Sequence, residues 1–353
     1  MEELRLLPLG TSDFAALRLR NQIYVDKSAL VYKVASQNGI FLFVRPRRFG
    51  KSLLISTFES LFKFGLRDFK DLAIEKLWIE KKIYNVVRLD FSEMRPDFGL
   101  KKFRDDLRDR LIDNFSSFGF RYDQAGSSIF KQLSVWLKKQ EPNSLVLLVD
   151  EYDTPLTSCL NNPELFNSVQ VALSDFYAVL KSNDDALRFV FITGIVNFNK
   201  GHLFSEVQEL SDISLDTEFG ELLGFTRGEV EEYFYPYLEA ASQVLNLPVS
   251  ELLKKVIKQY GGFCFERMAT EKVLAPWSFL NFLASPRIDL LGYWFESGGK
   301  ASALMDSLKS DSMRDPEEYG RDKFVSLSSL SGSSSLESLS DLALLTQTGY
   351  LTI

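Results

Sequence analysis

Five short apolar runs punctuate the first 215 residues, and amphipathic stretches separate them. Gly39-Ile-Phe-Leu-Phe-Val44 is continuous and apolar with a glycine at its start, the pattern of a buried strand. Arg45 to Gly50 reads as a turn, and from Ser52 onward Leu53, Leu54, Thr57, Phe58 and Leu61 recur at helical spacing. Val86 to Phe91 gives a second strand. Phe103, Leu107 and Leu111 mark a helix whose other side carries Arg104, Asp105, Arg108 and Asp109, and Phe130, Leu133 and Leu137 mark another. Leu145 to Val149 is the third strand, followed by Asp150-Glu151-Tyr152-Asp153. Val169, Leu173, Phe176 and Leu180 form a helical stripe, Arg188 to Thr193 is the fourth strand, and Asp212 to Leu215 a fifth. This alternation predicts an α/β fold, a mostly parallel sheet with flanking helices on both faces.

The pattern changes near Gly224-Phe225-Thr226. Thr226 has Glu229 three residues on, the spacing of a capping box, and Val230, Phe234, Tyr237 and Leu238 continue that helix. Val249 to Tyr260 gives another helix, ended by Gly261-Gly262. Residues 226–295 read as mainly helical. Residues 310–340 are polar and serine-rich, with Gly332 to Ser335 the natural flexible point. No internal repeat is visible. The chain's 353 residues suit two or three domains. Gly349-Tyr-Leu-Thr-Ile353 reads as a strand-like ending, expected to pair within the C-terminal segment or with another chain.

Composition narrows the chemistry. Apolar residues at 45% and charged residues at 25% fit a globular protein. The apolar runs fall far short of the roughly 18–20 residues of a membrane span, and Met-Glu-Glu-Leu-Arg lacks the basic start of a signal peptide. Cys159 and Cys264 cannot form a disulfide framework, so a cytoplasmic, reducing setting is expected. With His202 as the single histidine, Cys/His zinc sites and Ser-His-Asp catalysis are disfavoured. His202 itself reads as a loop residue or cap. The net charge of −7 is uneven: residues 1–120 hold 22 Lys/Arg against 16 Asp/Glu, and the rest 19 against 32. An acidic whole argues against a protein that coats nucleic acid, while the basic N-terminal third leaves a local nucleic-acid surface open.

The strongest chemical signal is Gly50-Lys51-Ser52 between a strand and a helix. Glycine lets backbone N–H groups approach phosphates, and the helix N-terminus adds partial positive charge. Lys51 would reach the β/γ-phosphates and the Ser52 hydroxyl would hold Mg²⁺. One part is missing: where a full P-loop has glycine, five residues before Gly50, this chain has Arg45. Pro46 and the arginines should stiffen and charge the turn. Ninety-nine residues after Lys51, Leu145 to Val149 followed by Asp150-Glu151 is a Walker B pattern, with Asp150 for Mg²⁺ and Glu151 suited to polarise water. Asp153 serves either as support for the site or as a cap. A polar residue after the fourth strand, Thr193 or Asn197, with Thr193 favoured, would sense the γ-phosphate or simply satisfy loop backbone. Arg47 and Arg48 would clamp phosphate, act as a finger toward a neighbouring subunit, or touch nucleic acid. Arg227 and Arg267 read first as surface residues and second as lid sensors. Tyr24 and Phe91 read as core residues or as the border of a base pocket.

Tyr24-Val-Asp-Lys-Ser28, Arg45-Pro-Arg-Arg-Phe-Gly-Lys-Ser52, Leu148-Val-Asp-Glu-Tyr-Asp153, Ile192-Thr-Gly194, Leu223-Gly-Phe-Thr226 and Gln347-Thr-Gly-Tyr-Leu-Thr-Ile353 occur in that order. Together they resemble AAA-ATPase-like proteins of the type often fused to a C-terminal PD-(D/E)XK nuclease domain. The likeness spans nearly the whole chain and includes the arginine in place of glycine. The resemblance implies a P-loop NTPase of the AAA/STAND type: a P-loop ATPase core at 1–225, a helical lid domain at 226–295, and a C-terminal helical segment at 296–353 ending where the nuclease domain would start. It implies ATP and Mg²⁺ as cofactors, with Arg47, Arg48, Phe49, Gly50, Lys51, Ser52, Tyr24 and Asp26 at the nucleotide, Ser52 and Asp150 at the metal, and Glu151, Lys51 and Thr193 in catalysis. The family tends to have lysine where this chain has Asn197. The expected function is a Mg²⁺-dependent ATPase module regulating or powering a nucleic-acid-directed effector. Nucleotide, nucleic acid or an associated nuclease, and a second copy of the chain are the expected partners. The alternatives are a non-hydrolysing nucleotide-gated switch or scaffold, and a nucleic-acid binder using the basic third.

Overall fold

The computed structural model describes residues 4–198, 203–204, 210–287, 325–330 and 340–353. His202 and Gly332 to Ser335 lie outside the described residues, as does most of 296–353. The strands are β1 Gly39–Val44, β2 Asn85–Asp90, β3 Leu145–Asp150, β4 Leu187–Gly194 and β5 Leu210–Asp212. They form one parallel sheet in the order β2-β3-β4-β1-β5. The three inner strands are buried almost throughout, which is why their sequences are continuous apolar runs rather than alternations. The edge strand β2 is less uniformly buried: Asn85 is exposed, and Arg88 and Asp90 are half-buried.

The period of two along each inner strand sorts the core onto two faces. Leu42, Leu147, Val149, Val190 and Ile192 point to one face, packed with helices Leu100–Ser116, Ile129–Leu137 and Pro163–Lys181. Phe41, Phe43, Val146, Leu148, Phe189 and Phe191 point to the other, with helices Phe14–Leu19, Ser28–Ala35 and Lys51–Phe64. On that second face Phe58 lies 4.7 Å from Phe191 and 5.1 Å from Phe189, ring centre to ring centre. These contacts seat the helix that starts at Lys51 against β4, and it packs over β2 and β3 as well.

The fifth strand starts and stops earlier than its sequence suggests. Beyond Asp212 side chains replace ladder partners: the Ser214 amide donates to Asp212 Oδ1, and Ser214 Oγ accepts from the Val44 amide. A third cluster holds helices Arg227–Leu245, Val249–Tyr260 and Pro276–Ala284 together. Ile23 and Val25 from the N-terminal segment are buried in it. The first of these helices begins with the capping box expected at Thr226 and Glu229.

The ending is not a strand. Helix Asp341–Gln347 closes on Gly349 (φ +85°), and the amides of Tyr350 and Leu351 donate to the Leu345 carbonyl, a helix C-terminus stopped by a left-handed glycine. Thr352 Oγ1 then donates to the Gly262 carbonyl and accepts from the Cys264 amide. A Cβ on Gly349 would lie 3.0 Å from Pro46, so this turn rests against the loop after β1.

The end of β4 is equally tight. A Cβ on Gly194 would fall 2.3 Å from Asp153 Oδ1 and 2.7 Å from the Tyr152 ring. Neither neighbour is a free surface side chain, so overpacking here has no easy relief. We predict that Gly194→Ala lowers unfolding free energy by about 2–3 kcal/mol, measured by urea denaturation. A change below about 0.5 kcal/mol would show that the close approach is relaxed in solution.

Candidate functional site

A parallel sheet collects the C-terminal ends of its strands on one edge, and the loops after β1, β3 and β4 meet there. Because β4 lies between β1 and β3, the Thr193-Gly194 turn sits between Arg45–Gly50 and Asp150–Asp153. Gly50 adopts a left-handed conformation (φ +98°) as the N-cap of helix Lys51–Phe64. Arg48 is left-handed too (φ +64°), as is Glu151 (φ +52°). Non-glycine residues in that region cost about 1–3 kcal/mol each and gather at functional sites.

Arg45 does not face the open side of the loop. It is 2% exposed. Its guanidinium donates to the carbonyls of Val44 (2.9 Å), Ser214 (2.7 Å) and Phe219 (3.0 Å). It also lies 4.0 Å from the centre of the Phe43 ring and 4.6 Å from that of Phe265. Burial pushes its pKa down to about 9, opposed by Asp212, so the group stays charged at neutral pH. Of the arginines expected to stiffen and charge this turn, Arg45 holds the backbone from within.

Lys51 is buried, and its Nζ donates to the carbonyls of Arg45 (3.0 Å) and Pro46 (2.9 Å). Burial lowers its pKa, and Asp153, Glu151 and Asp150 pull it back up. Asp150 is buried as well. Burial raises its pKa, while the Ser52 hydroxyl, Lys51 and Arg88 favour the charged form and Asp90 opposes it. Asp150 Oδ1 is buried with no hydrogen-bond partner. An unpartnered buried carboxylate oxygen beside a serine hydroxyl is a good seat for a hard cation that takes one protein carboxylate and draws its other ligands from phosphate and water. Glu151 Oε2 accepts from Thr154 Oγ1 at 3.0 Å.

Asp153 resolves into a cap. Its carboxylate accepts from the amides of Ile195 (both oxygens, 3.1 Å) and Val196 (2.8 Å), fixing the loop after β4. Burial pushes its pKa up to about 6, against those amides and Lys51. Tyr152 pins the same loop: its hydroxyl donates to the Val196 carbonyl (2.8 Å) and accepts from the Phe198 amide (2.9 Å).

A cavity of about 620 Å³ opens beside this edge, within the usual range for small-ligand sites. Lys51, Ser52 and Glu151 line its polar end, and Tyr24, Leu223 and Trp277 contribute apolar wall. Arg47 lines it and is exposed. Arg48 lines it too, but its guanidinium stacks 4.1 Å from the centre of the Trp277 ring. Phe49 lines it with a buried side chain, edge-on to Phe263 and Phe265 at 5.2 and 5.1 Å. Its side chain therefore joins the loop to the helical unit rather than contacting a ligand.

Three expectations change. Thr193 is fully buried and its Oγ1 donates to the Phe43 carbonyl at 2.8 Å, so its hydroxyl braces β4 on β1 instead of sensing a phosphate. Asp26 is not in the cavity wall; it accepts from the amides of Ser28 (2.9 Å) and Ala73 (2.8 Å) as a cap. The expected strand at the ending gives way to the turn described above. Asn197 points its amide to Asp212 Oδ2 (2.7 Å) and its backbone N–H to Gln347 Oε1 (3.0 Å). Arg227 pairs with Glu231 on the surface, and Arg267 is exposed; neither lines the cavity. Phe91 is core. Arg95, which no motif spacing singled out, does line the cavity.

Residues 8–204 match a protein family described as Predicted AAA-ATPase. A curated relative, "Uncharacterized protein in vnfD 5'region" of Azotobacter chroococcum mcd 1, is 28% identical over 353 residues, covering 98% of this chain. The chain spans only 64% of that relative's length. Among solved structures, the crystal structure of Cdc6p from Pyrobaculum aerophilum aligns with 57% of this chain and 44% of its own, at 11% identity and a TM-score of 0.28.

Two predictions test the site's electrostatics. Replacing Arg45 by Gly restores the ordinary P-loop residue but strands the Ser214 and Phe219 carbonyls and empties a space between two rings. Arg45→Gly should cost at least about 3 kcal/mol of stability, read from denaturant midpoints; a neutral or stabilising result would refute the bracing role. Asp153, with a folded pKa raised above its usual 3.8, favours folding below pH 4 and loses that contribution as pH rises toward 6. The stability of wild type relative to Asp153→Asn should therefore fall between about pH 4 and pH 6, by on the order of 3 kcal/mol. Parallel stability curves for the two proteins over that range would contradict the assignment.

Proposed function

The chain belongs to the predicted AAA-ATPase family, and from that premise we propose that it binds and hydrolyses ATP with Mg²⁺ at the cavity beside Lys51. The observation that carries the reading is the convergence of Lys51, Ser52, Asp150 and Glu151, from loops 99 residues apart, on one edge of the sheet. Phosphate would meet the N-terminus of helix Lys51–Phe64, whose first amides lack helical partners. Lys51 would exchange its two carbonyl partners for β/γ-phosphate oxygens. The ammonium is already desolvated, so binding an anion there relieves an existing cost.

Ser52 and the unpartnered oxygen of Asp150 would hold Mg²⁺, which supplies charge neutralisation across the β- and γ-phosphates. Glu151, with its left-handed backbone and its hydrogen bond from Thr154, would accept a proton from the attacking water. Water oxygen bonds to the γ-phosphorus, the bridging bond to the β-phosphate breaks, and the proton passes to Glu151. The apolar wall of Leu223 and Trp277 suits a flat base. In this reading residues 226–295 act as the lid, joined to the P-loop by Phe49 and Arg48.

The finer proposal, that turnover regulates or powers a nucleic-acid-directed effector, rests on the resemblance and the basic surplus of residues 1–120. Several cations of that segment pair with its own acids, Lys63 with Glu59, Arg67 with Asp68, Lys102 with Asp106 and Arg108 with Asp105, which leaves the net surplus unchanged. Among the described residues no helix is long and apolar enough to cross a membrane.

The test is a hydrolysis assay with Mg²⁺ and ATP, with and without DNA or RNA. Lys51→Ala should abolish nucleotide binding. Glu151→Gln should bind ATP and lose about 10²-fold or more in kcat. Tight ATP binding by wild type without turnover under any of these conditions would select the non-hydrolysing switch, which the stiff, internally braced P-loop favours.

A further inference from the structure

Among the cations lining the cavity, most already have partners. Lys51 is tied to two carbonyls, Arg48 stacks on Trp277, and Lys27 pairs with Glu229 at 2.5 Å. Arg47 and Arg95 are different: among the described residues no hydrogen bond or ion pair engages either guanidinium, and both are exposed along the cavity that also contains Lys51 and Glu151. Arg47 belongs to the loop after β1, whereas Arg95 comes from the loop after β2. Its backbone is fixed. The loop after β2 is tied to β3 by the Phe91 amide, which donates to the Asp150 carbonyl at 3.0 Å. Met94 on one side and Pro96 on the other are buried, and Arg95 is extended (φ −110°, ψ 128°), as the following proline requires. A rigid turn thus presents one unpaired charge from the Asp150 side of the site, the side opposite the P-loop.

We propose that Arg95 is a catalytic cation that this chain supplies to its own transferring γ-phosphoryl group. The proposal rests on the ATPase reading above. As water bonds to phosphorus and the bridging bond breaks, negative charge builds on the γ-oxygens and on the departing β-phosphate oxygen. A guanidinium brought to that end from a fixed backbone binds the redistributed charge better than the ground state. Lys51 meets the phosphates from the P-loop and Arg95 from the β2 loop, so the chain needs no arginine from a neighbouring subunit.

The experiment measures ATP affinity and turnover for wild type, Arg95→Ala, Arg95→Gln, Arg95→Lys, Glu151→Gln and Lys51→Ala, and for an equimolar mixture of Arg95→Ala with Lys51→Ala. Arg95→Ala and Arg95→Gln should bind ATP within about threefold of wild type and lose about 10²-fold in kcat. Arg95→Lys should recover part of that loss. The mixture should stay as slow as Arg95→Ala alone, because a residue acting within its own chain cannot be complemented by another. Wild-type turnover in Arg95→Ala, beside a dead Glu151→Gln, overturns the Arg95 proposal and leaves the ATPase reading standing. Restored turnover in the mixture also overturns it, by showing action between chains. Absence of turnover in wild type defeats the ATPase reading and this proposal with it. Unfolding midpoints for all variants separate loss of chemistry from loss of fold, and the exposed position predicts no change in them.

Discussion

The buried guanidinium of Arg45 is the constraint on which this architecture depends. Taking a full charge out of water costs several kcal/mol, and here three backbone carbonyls and two aromatic faces offset it. Charge-assisted bonds of that kind contribute about 1.5–3 kcal/mol each. The partners come from β1, from the segment after β5 and from the loop carrying Phe265. One side chain therefore ties the loop after β1 to the sheet and to the helical unit at once. The loop still turns on a left-handed Gly50, and at the position five residues earlier an inward-turned arginine adds the bracing, while Lys51, Ser52 and Gly50 remain along the cavity.

The same logic extends to Asp153. It lies under the loop after β4 as an internal anion, and its acceptor capacity is taken up by backbone N–H groups. Arg45 and Asp153 are opposite charges used for one purpose, to hold irregular backbone at a strand end where no ladder can satisfy it. Thr193 and Tyr152 add neutral hydrogen bonds to the same frame. Unmet bonding capacity remains at Arg45 Nε and Asp150 Oδ1 within this edge, and at the exposed guanidiniums of Arg47 and Arg95 along the cavity.

Much of this was legible in the sequence. Buried parallel strands write themselves as continuous apolar runs, so β1, β3 and β4 were readable within a residue or so. Thr226 with Glu229 announced its helix for the same reason: a local hydrogen-bond pattern leaves a local signature. Strand β5 was less legible because three residues make a weak pattern and Ser214 substitutes for the ladder. Side-chain direction was the hidden quantity. Arg45, Arg47 and Arg48 look alike in a string, yet one is internal, one faces the cavity and one stacks on Trp277. Thr193 sits at a place where a sensor would be useful, and only the register of β4 on β1 shows that its hydroxyl is taken by Phe43. Arg95 was invisible because nothing in its spacing links β2 to the P-loop; the sheet order alone brings them together.

The contact between Gly349 and Pro46 joins residues 303 positions apart, Gln347 reaches Asn197 across 150 positions and Thr352 reaches Cys264 across 88. A growing chain cannot complete this edge when its sheet has been synthesised, because the pieces that brace it emerge about 140 residues after Asp212. Such long-range closure slows folding and leaves intermediates exposed. A ribosome-bound chain ending near residue 215 would carry all five strands and both half-motifs while lacking the far-C-terminal bracing of the loop that joins them. Maturation of the site would then be set by translation time as much as by the speed of folding.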